Sequence, residues 1–184
     1  MAKLIAKTYG AALFELAVEQ DRSADLLKEL TVITKALADN PNFLRLLNHP
    51  KILKDEKVEL VETVFKDKVS AEITGFLRLL IMKDRCGDME DIFAYFIAAI
   101  KDELGIGVAT VTTAVALNEI RKSLITERLL SATDYREMEM SFIVDKDIIG
   151  GIVFRIGDRV VDASIATRLA KLRKQLSGIQ IKNG

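Results

Sequence analysis

The sequence has few of the residues on which most enzymes and disulfide-rich secreted proteins depend. Cys86 is the one cysteine, so an internal disulfide is excluded and a secreted, disulfide-held fold is not expected. His49 is the one histidine, and no partner that would position it as a general base is evident. No apolar run approaches the ~20 residues needed to cross a bilayer. The 27 basic and 27 acidic residues balance, so the whole chain has no net charge that would attract nucleic acid.

The remaining candidates for chemistry are better explained as turns. Asp145 and Asp147 could ligate a metal, but the glycines that follow offer no further side-chain ligands. Gly150 and Gly151 could bring backbone amides to a phosphate, but a strand follows them where a phosphate-binding loop would lead into a helix. Cys86 lies in an ordinary turn sequence. We therefore predict no catalytic residue, no metal and no cofactor.

The first 104 residues carry apolar residues at helical spacing. Ile5, Tyr9, Leu13 and Leu16 recur on one side of a first helix. Five more amphipathic segments follow with short connections, and they start near Ser23, Asn40, Asp55, Ser70 and Asp88. The sequence therefore predicts a compact six-helix bundle over residues 1–104.

After Gly105-Ile106-Gly107, which we interpret as a hinge at 105–107, the pattern changes. Residues 108–115 are β-branched, 118–130 have a helical pattern, and 138–144 alternate as a half-buried strand. Residues 152–156 and 159–162 flank Gly157-Asp158 as a hairpin, and a basic amphipathic helix follows from Ser164. We therefore predict an α+β chain of two domains, with a small α/β domain over 108–184 that contains a hairpin and a terminal helix.

Charge is unevenly distributed along the chain. Residues 151–184 carry 7 Lys and Arg against 2 Asp and Glu, whereas residues 1–105 carry 15 against 18. The basic end of the chain suggests an acidic partner or phosphate. Two classes of function fit the composition alone: a structural subunit that joins parts of a larger assembly, and a small basic-tailed nucleic-acid-binding or regulatory protein.

The segment from Asp145 to Leu176 separates these two classes by resemblance. The features that carry the resemblance are the Ile148–Gly151 corner, the Phe154–Asp158 stretch, the Asp162-x-Ser164 helix start and the leucines at 169 and 172. With them, this segment resembles the C-terminal segment of the F-type ATP synthase delta subunit, the bacterial relative of the mitochondrial oligomycin-sensitivity-conferring protein. The resemblance covers the whole chain. In the N-terminal half it rests on the runs 9–14 and 79–85.

The resemblance implies a non-catalytic subunit of the peripheral stalk, which links the catalytic head to the stator b subunits and resists the torque of the rotor. In this family the N-terminal domain binds the N-terminal segment of an alpha subunit, and the C-terminal domain meets the end of the b subunit. We expect the chain at the cytoplasmic face of a bacterial membrane, held there only through the complex.

The resemblance also suggests where the two partners bind. We expect the alpha segment in a groove between the first and fifth helices, lined by Tyr9, Ala12, Leu13, Phe76 and Leu80. Core packing is the alternative for these residues, above all for Leu13 and Phe76. In the last helix, Arg168, Lys171 and Lys174 are expected to face the b subunit, while Ile165, Leu169, Leu172 and Leu176 dock onto the sheet.

Overall fold

The computed structural model describes residues 2–65, 68–157 and 159–177. Contacts between residues divide it into two compact units, one ending at Leu104 and one beginning at Gly105. Six α-helices lie in the described part of the first unit: α1 (Ala2–Glu19), α2 (Ser23–Asp39), α3 (Pro41–Leu47), α4 (Lys54–Phe65), α5 (Ala71–Met82) and α6 (Met89–Glu103). A short 3₁₀ turn, Cys86–Asp88, precedes α6.

The core of the first unit is built from leucine, isoleucine and phenylalanine side chains of these helices. α1 packs mainly on α6, α2 also contacts α6, and α4 packs on α5. Gly10 makes the first of these contacts possible, because a Cβ there would lie 2.5 Å from Cδ1 of Tyr95 and 3.2 Å from the carbonyl oxygen of Ile92. The small residues of the 9–14 run therefore serve close packing of α1 on α6.

An ion-pair network joins the start of α2 to the start of α5. Both the backbone amide and the hydroxyl of Ser70 donate to Oε2 of Glu29, each at 2.7 Å. Arg22 contacts Oε1 of Glu29 at 3.6 Å and Oε1 of Glu72 at 2.7 Å. The first turn of α5 is thus capped by a side chain 41 residues earlier in the chain.

The second unit contains β1 (Ile106–Thr113), α7 (Glu119–Ser131), β2 (Glu137–Val144), β3 (Ile152–Ile156), β4 (Arg159–Asp162) and α8 (Ile165–Ser177). The strands form one mixed sheet in the order β2-β1-β3-β4. β1 and β2 are parallel, with Val111 opposite Phe142, whereas β3 is antiparallel to both β1 and β4. The α+β class and the 152–162 hairpin are confirmed, although Asp158 of the predicted turn lies outside the described residues.

The sheet begins within the segment 105–107 that the sequence predicted as a hinge. Ile106 and Gly107 belong to β1, and only Gly105 precedes it, with a φ of +71°. The ring of Tyr135 packs where a Cβ of Gly107 would lie, at 2.6 Å. Gly107 therefore serves close packing in the second unit, and motion about Gly105 stays a prediction.

Candidate partner-binding surfaces

The five residues predicted to bind an alpha segment occupy different environments. Leu13, Phe76 and Leu80 are buried in the core, Tyr9 packs against the core with part of its surface exposed, and Ala12 is exposed. In the isolated chain, the three buried side chains are not available on the surface. Partner binding by these five residues stays a prediction. The surface that a partner would meet here is formed by Ala12, by the exposed part of Tyr9 and by exposed neighbours of the three buried residues.

α5 presents such neighbours on its outer side. Gly75, Leu79 and Met82 fall within one stripe of the helix, and the side chains of Leu79 and Met82 are 43% and 46% exposed. A Cβ at Gly75 would meet no atom within 4 Å, so the fold of this chain does not require glycine there. Gly75 also lines a groove of about 660 Å³ between α4 and α5.

α8 exposes an apolar side as well as a basic one. Arg168, Lys171 and Lys174 are exposed, as the sequence predicted. The predicted docking of the apolar side onto the sheet is wrong for the described side chains, because Ile165, Leu169 and Leu172 are 44%, 51% and 53% exposed. The side chain of Leu176 lies outside the described residues. The physical reason is that α8 is held mainly at its first turn, where it contacts the 3₁₀ turn Lys146–Ile148.

The Gly150-Gly151 corner anchors that first turn. The amide of Ile165 donates to the carbonyl oxygen of Gly150 at 2.9 Å, and a Cβ on Gly150 would lie 2.8 Å from Cδ1 of Ile165. Gly151 has a φ of +80°, and a Cβ there would lie 2.5 Å from the carbonyl oxygen of Ala163. The glycine pair therefore allows close approach of α8, as the turn interpretation predicted.

Asp162 and Ser164 cap α8. Oδ1 of Asp162 accepts the amide of Ser164 at 2.8 Å, and Oδ2 accepts the hydroxyl of Thr167 at 2.7 Å. The amide of Thr167 donates to Oγ of the buried Ser164 at 3.2 Å. Hydrogen bonds from Ser164 and Thr167 lower the pKa of Asp162 from its ordinary value to about 2.

This capping predicts an acid-dependent loss of α8. A carboxylate with a lowered folded-state pKa stabilises the fold fully above its unfolded pKa of ~4, and the contribution disappears as the pH falls through about 2. We expect amide exchange in α8 to accelerate between pH 4 and pH 2, with the carboxyl of Asp162 titrating near 2 by NMR. In Asp162→Asn, α8 should exchange faster at neutral pH and lose this acid dependence. Titration of Asp162 near 4 would show that the cap is not formed in solution.

The residues considered for chemistry have structural partners. Nδ1 of His49 accepts the amide of Lys51 at 3.3 Å, and Oδ1 of Asp145 accepts the amide of Asp147 at 2.9 Å. Burial raises the pKa of the Cys86 thiol, which keeps it protonated and unreactive. In the described ranges, no three His, Cys, Asp or Glu residues are grouped as a metal site would require. Nor does any helix described combine the length and apolar character needed to cross a membrane.

Comparison with known proteins gives a consistent result along the chain. Residues 5–176 match the family model described as ATP synthase delta (OSCP) subunit. A protein described as ATP synthase subunit delta from Lachnoclostridium phytofermentans is 46% identical over 98% of this chain and 100% of its own. The protein of the same description from Alkaliphilus oremlandii is 35% identical over 98% of this chain and 100% of its own. That from Anoxybacillus flavithermus is 34% identical over 95% of this chain and 98% of its own. A chain in the cryo-EM structure of the Toxoplasma gondii mitochondrial ATP synthase hexamer shares the fold, with a TM-score of 0.81 at 18% identity over 95% of this chain and 98% of that one.

Proposed function

This chain belongs to the ATP synthase delta (OSCP) family, and from that membership we propose that its two units hold two different partners in the complex. The chain is a non-catalytic stator subunit of a membrane-bound ATP synthase. Residues 1–104 bind the N-terminal segment of an alpha subunit on the catalytic head, and residues 105–184 bind the end of a stator b subunit. A connection of this kind transmits the torque of the rotor to the stalk and keeps the head from turning. We place it at the cytoplasmic face of the membrane.

The proposed contact with the alpha subunit is supported by the outer stripe of α5, formed by Gly75, Leu79 and Met82. Glycine inside a helix costs about 1 kcal/mol relative to alanine, and at Gly75 nothing in the chain itself requires it. A glycine surface lets the backbone of a partner helix approach closely, and Leu79 and Met82 supply exposed apolar area one and two turns further along. These features suit an amphipathic helix docked in a groove, the binding mode proposed for the alpha segment.

Two substitutions at Gly75 test this contact. Gly75→Ala should raise the free energy of unfolding by up to about 1 kcal/mol, since its Cβ enters open space. Gly75→Leu should stay folded, for the same reason, but should weaken binding of an alpha N-terminal peptide at least tenfold, because the side chain fills the space of the partner. Calorimetric titration and thermal unfolding measure the two effects. Normal peptide binding by folded Gly75→Leu would show that the partner docks elsewhere.

The second contact is supported by the two exposed sides of α8. Leu169 and Leu172 provide apolar area that the fold of the second unit leaves open, and the three basic residues 168, 171 and 174 provide charge. Electrostatic complementarity mainly accelerates association, whereas buried apolar contact mainly slows dissociation. We therefore propose that the b subunit covers the apolar side and that its acidic groups meet the basic side.

Two variants of α8 separate these contributions. Reversing the charges of Arg168, Lys171 and Lys174 to glutamate should slow association with a soluble b fragment at low salt, and the difference should shrink as salt increases. Leu169→Ser with Leu172→Ser should instead speed dissociation at every salt concentration. Surface plasmon resonance measures both rates, and binding of the alpha peptide serves as the control for folding. If neither variant changes the rates, the b subunit binds another surface of the second unit.

A further inference from the structure

Lys57, a lysine in the first turn of α4, is buried and has no counter-ion among the described residues. The side chain of Lys57 is 8% exposed, and no hydrogen bond or ion pair joins it to another described residue. Removing an ammonium group from water costs free energy unless a partner replaces the lost hydration. Among the described side chains, no fully buried nitrogen or oxygen lacks a hydrogen bond, so the Lys57 ammonium must keep contact with solvent.

That contact is provided by a cavity of about 490 Å³, here called the Lys57 pocket. It lies between the α3–α4 connection, α4 and the 3₁₀ turn that precedes α6. Pro50, Ile52 and Leu53 contribute apolar wall, and Asn48 and Cys86 lie with Lys57 in the lining. Its volume is within the ~300–1,000 Å³ of small-molecule sites. Its lining combines apolar side chains with the polar groups of Asn48, Lys54, Lys57 and Asp84.

The charges around the pocket leave one positive charge uncompensated. Nζ of Lys54 contacts Oδ2 of Asp84 at 2.6 Å and donates to the carbonyl oxygen of Met82 at 2.8 Å, so this second lysine is already satisfied. At the start of α4, the amide of Leu53 donates to Oε2 of Glu56, so the helix terminus is already capped by a carboxylate. The remaining charge in the lining is the Lys57 ammonium.

We propose that the Lys57 pocket binds a carboxylate carried on a short apolar chain, with the Lys57 ammonium as its counter-ion. A single negative charge matches the single uncompensated positive one. A phosphate dianion would need further donors, and those of Asn48 and Lys54 in the lining already have partners. The apolar wall suits the carbon chain next to the carboxylate. The carboxylate can belong to a free small molecule or to an acidic side chain of a bound protein segment. None of its lining residues belongs to the outer stripe of α5 or to α8.

The test uses the full-length chain and two small probes of the same shape. Butyrate carries the carboxylate, and butyramide replaces it with an uncharged amide. In ¹H–¹⁵N NMR titrations we expect butyrate to shift the backbone amides of Lys57 and Cys86 saturably, and butyramide to bind at least tenfold more weakly. Equal responses to the two probes would overturn the proposal without the need for any variant.

A matched pair of lysine variants assigns the effect to one residue. Lys57→Met keeps the length of the side chain and removes its charge, and we expect butyrate binding to weaken at least tenfold. Lys51→Met removes an exposed charge six residues earlier and should leave binding unchanged. Folded Lys57→Met with unchanged butyrate binding would also overturn the proposal.

A third comparison identifies the source of the carboxylate. The peptide acetyl-Leu-Glu-Leu-amide presents a side-chain carboxylate between apolar residues, and its Gln analogue is the uncharged control. If the Glu peptide competes with butyrate and binds more tightly, the natural occupant is an acidic protein segment. If butyrate binds more tightly than the peptide, the occupant is a free carboxylate. Both results support the site, whereas failure of butyrate and the Glu peptide alike to bind would refute it.

Discussion

Glutamate at Leu80 is expected to unfold the helical unit, whereas glutamate at Leu79 should leave it folded. Leu80 is fully buried and Leu79 is 43% exposed, although the two residues are neighbours in α5. Removing a buried leucine side chain alone costs about 2–5 kcal/mol, and an unpaired buried carboxylate adds to that cost. Since the total stability of a domain is about 5–15 kcal/mol, Leu80→Glu should lose most or all of it.

Comparison of Leu79→Glu with Leu80→Glu also separates an effect on folding from an effect on partner binding. Leu79→Glu places a charge in the outer stripe of α5, where the proposed alpha segment would bury it. We expect its thermal unfolding to stay within a few degrees of the natural chain and its affinity for an alpha N-terminal peptide to fall at least tenfold. Circular dichroism and calorimetric titration give the two readings. A folded Leu80→Glu variant, or full peptide affinity in Leu79→Glu, would contradict this assignment of the two faces.

The elements of this fold were predictable because each is encoded locally. Apolar spacing indicated α1 to α6, and alternation at Met138, Met140 and Phe142 indicated β2. The hairpin of β3 and β4 followed from two β-branched runs around Gly157. In each case the signal lies within about ten neighbouring residues, so the sequence alone carries it.

Features that depend on distant residues were not predictable in this way. Glu29 caps α5 across 41 residues, and nothing near Ser70 indicates it. The parallel pairing of β1 with β2 is set by the α7 crossover and not by either strand alone. Spacing also cannot show whether an apolar stripe faces its own core or a partner. For that reason the docking of Leu169 onto the sheet was predicted wrongly, and the partner-binding role of the buried Leu80 stays a prediction.

The same limit applies to charged residues. Lys57 is one of several lysines in α4 and the segment before it, and its sequence neighbours Glu56 and Val58 give no sign that it is buried. The low exposure of Lys57 depends on the tertiary fold, which brings it and Cys86 into the lining of one cavity. A pocket of this kind therefore becomes visible only once the helices are assembled.

Truncation after Gly105 is expected to yield a fully folded helical protein, whereas residues 105–184 alone should be weakly stable. Of the buried hydrophobic side chains in the described ranges, only Ala109, Val111 and Met138 lie in the second unit. A small unit that buries so little apolar area gains little hydrophobic free energy against the entropy of ordering its chain. The helical fragment should unfold cooperatively, at nearly the same temperature as the helical unit does within the full chain. The second fragment should show fast amide exchange and a broad melt.

Binding of a partner should increase the stability of residues 105–184. Because Leu169, Leu172 and other apolar side chains of the second unit are exposed, covering them with the b subunit adds the apolar burial that the unit lacks. We expect a soluble b fragment to sharpen the melt of residues 105–184 and to slow amide exchange in α8, while Leu169→Ser with Leu172→Ser abolishes both effects. A cooperative melt of the fragment without any partner would mean that the four-stranded sheet is stable with its small core, and the b subunit would then bind a surface that is already rigid.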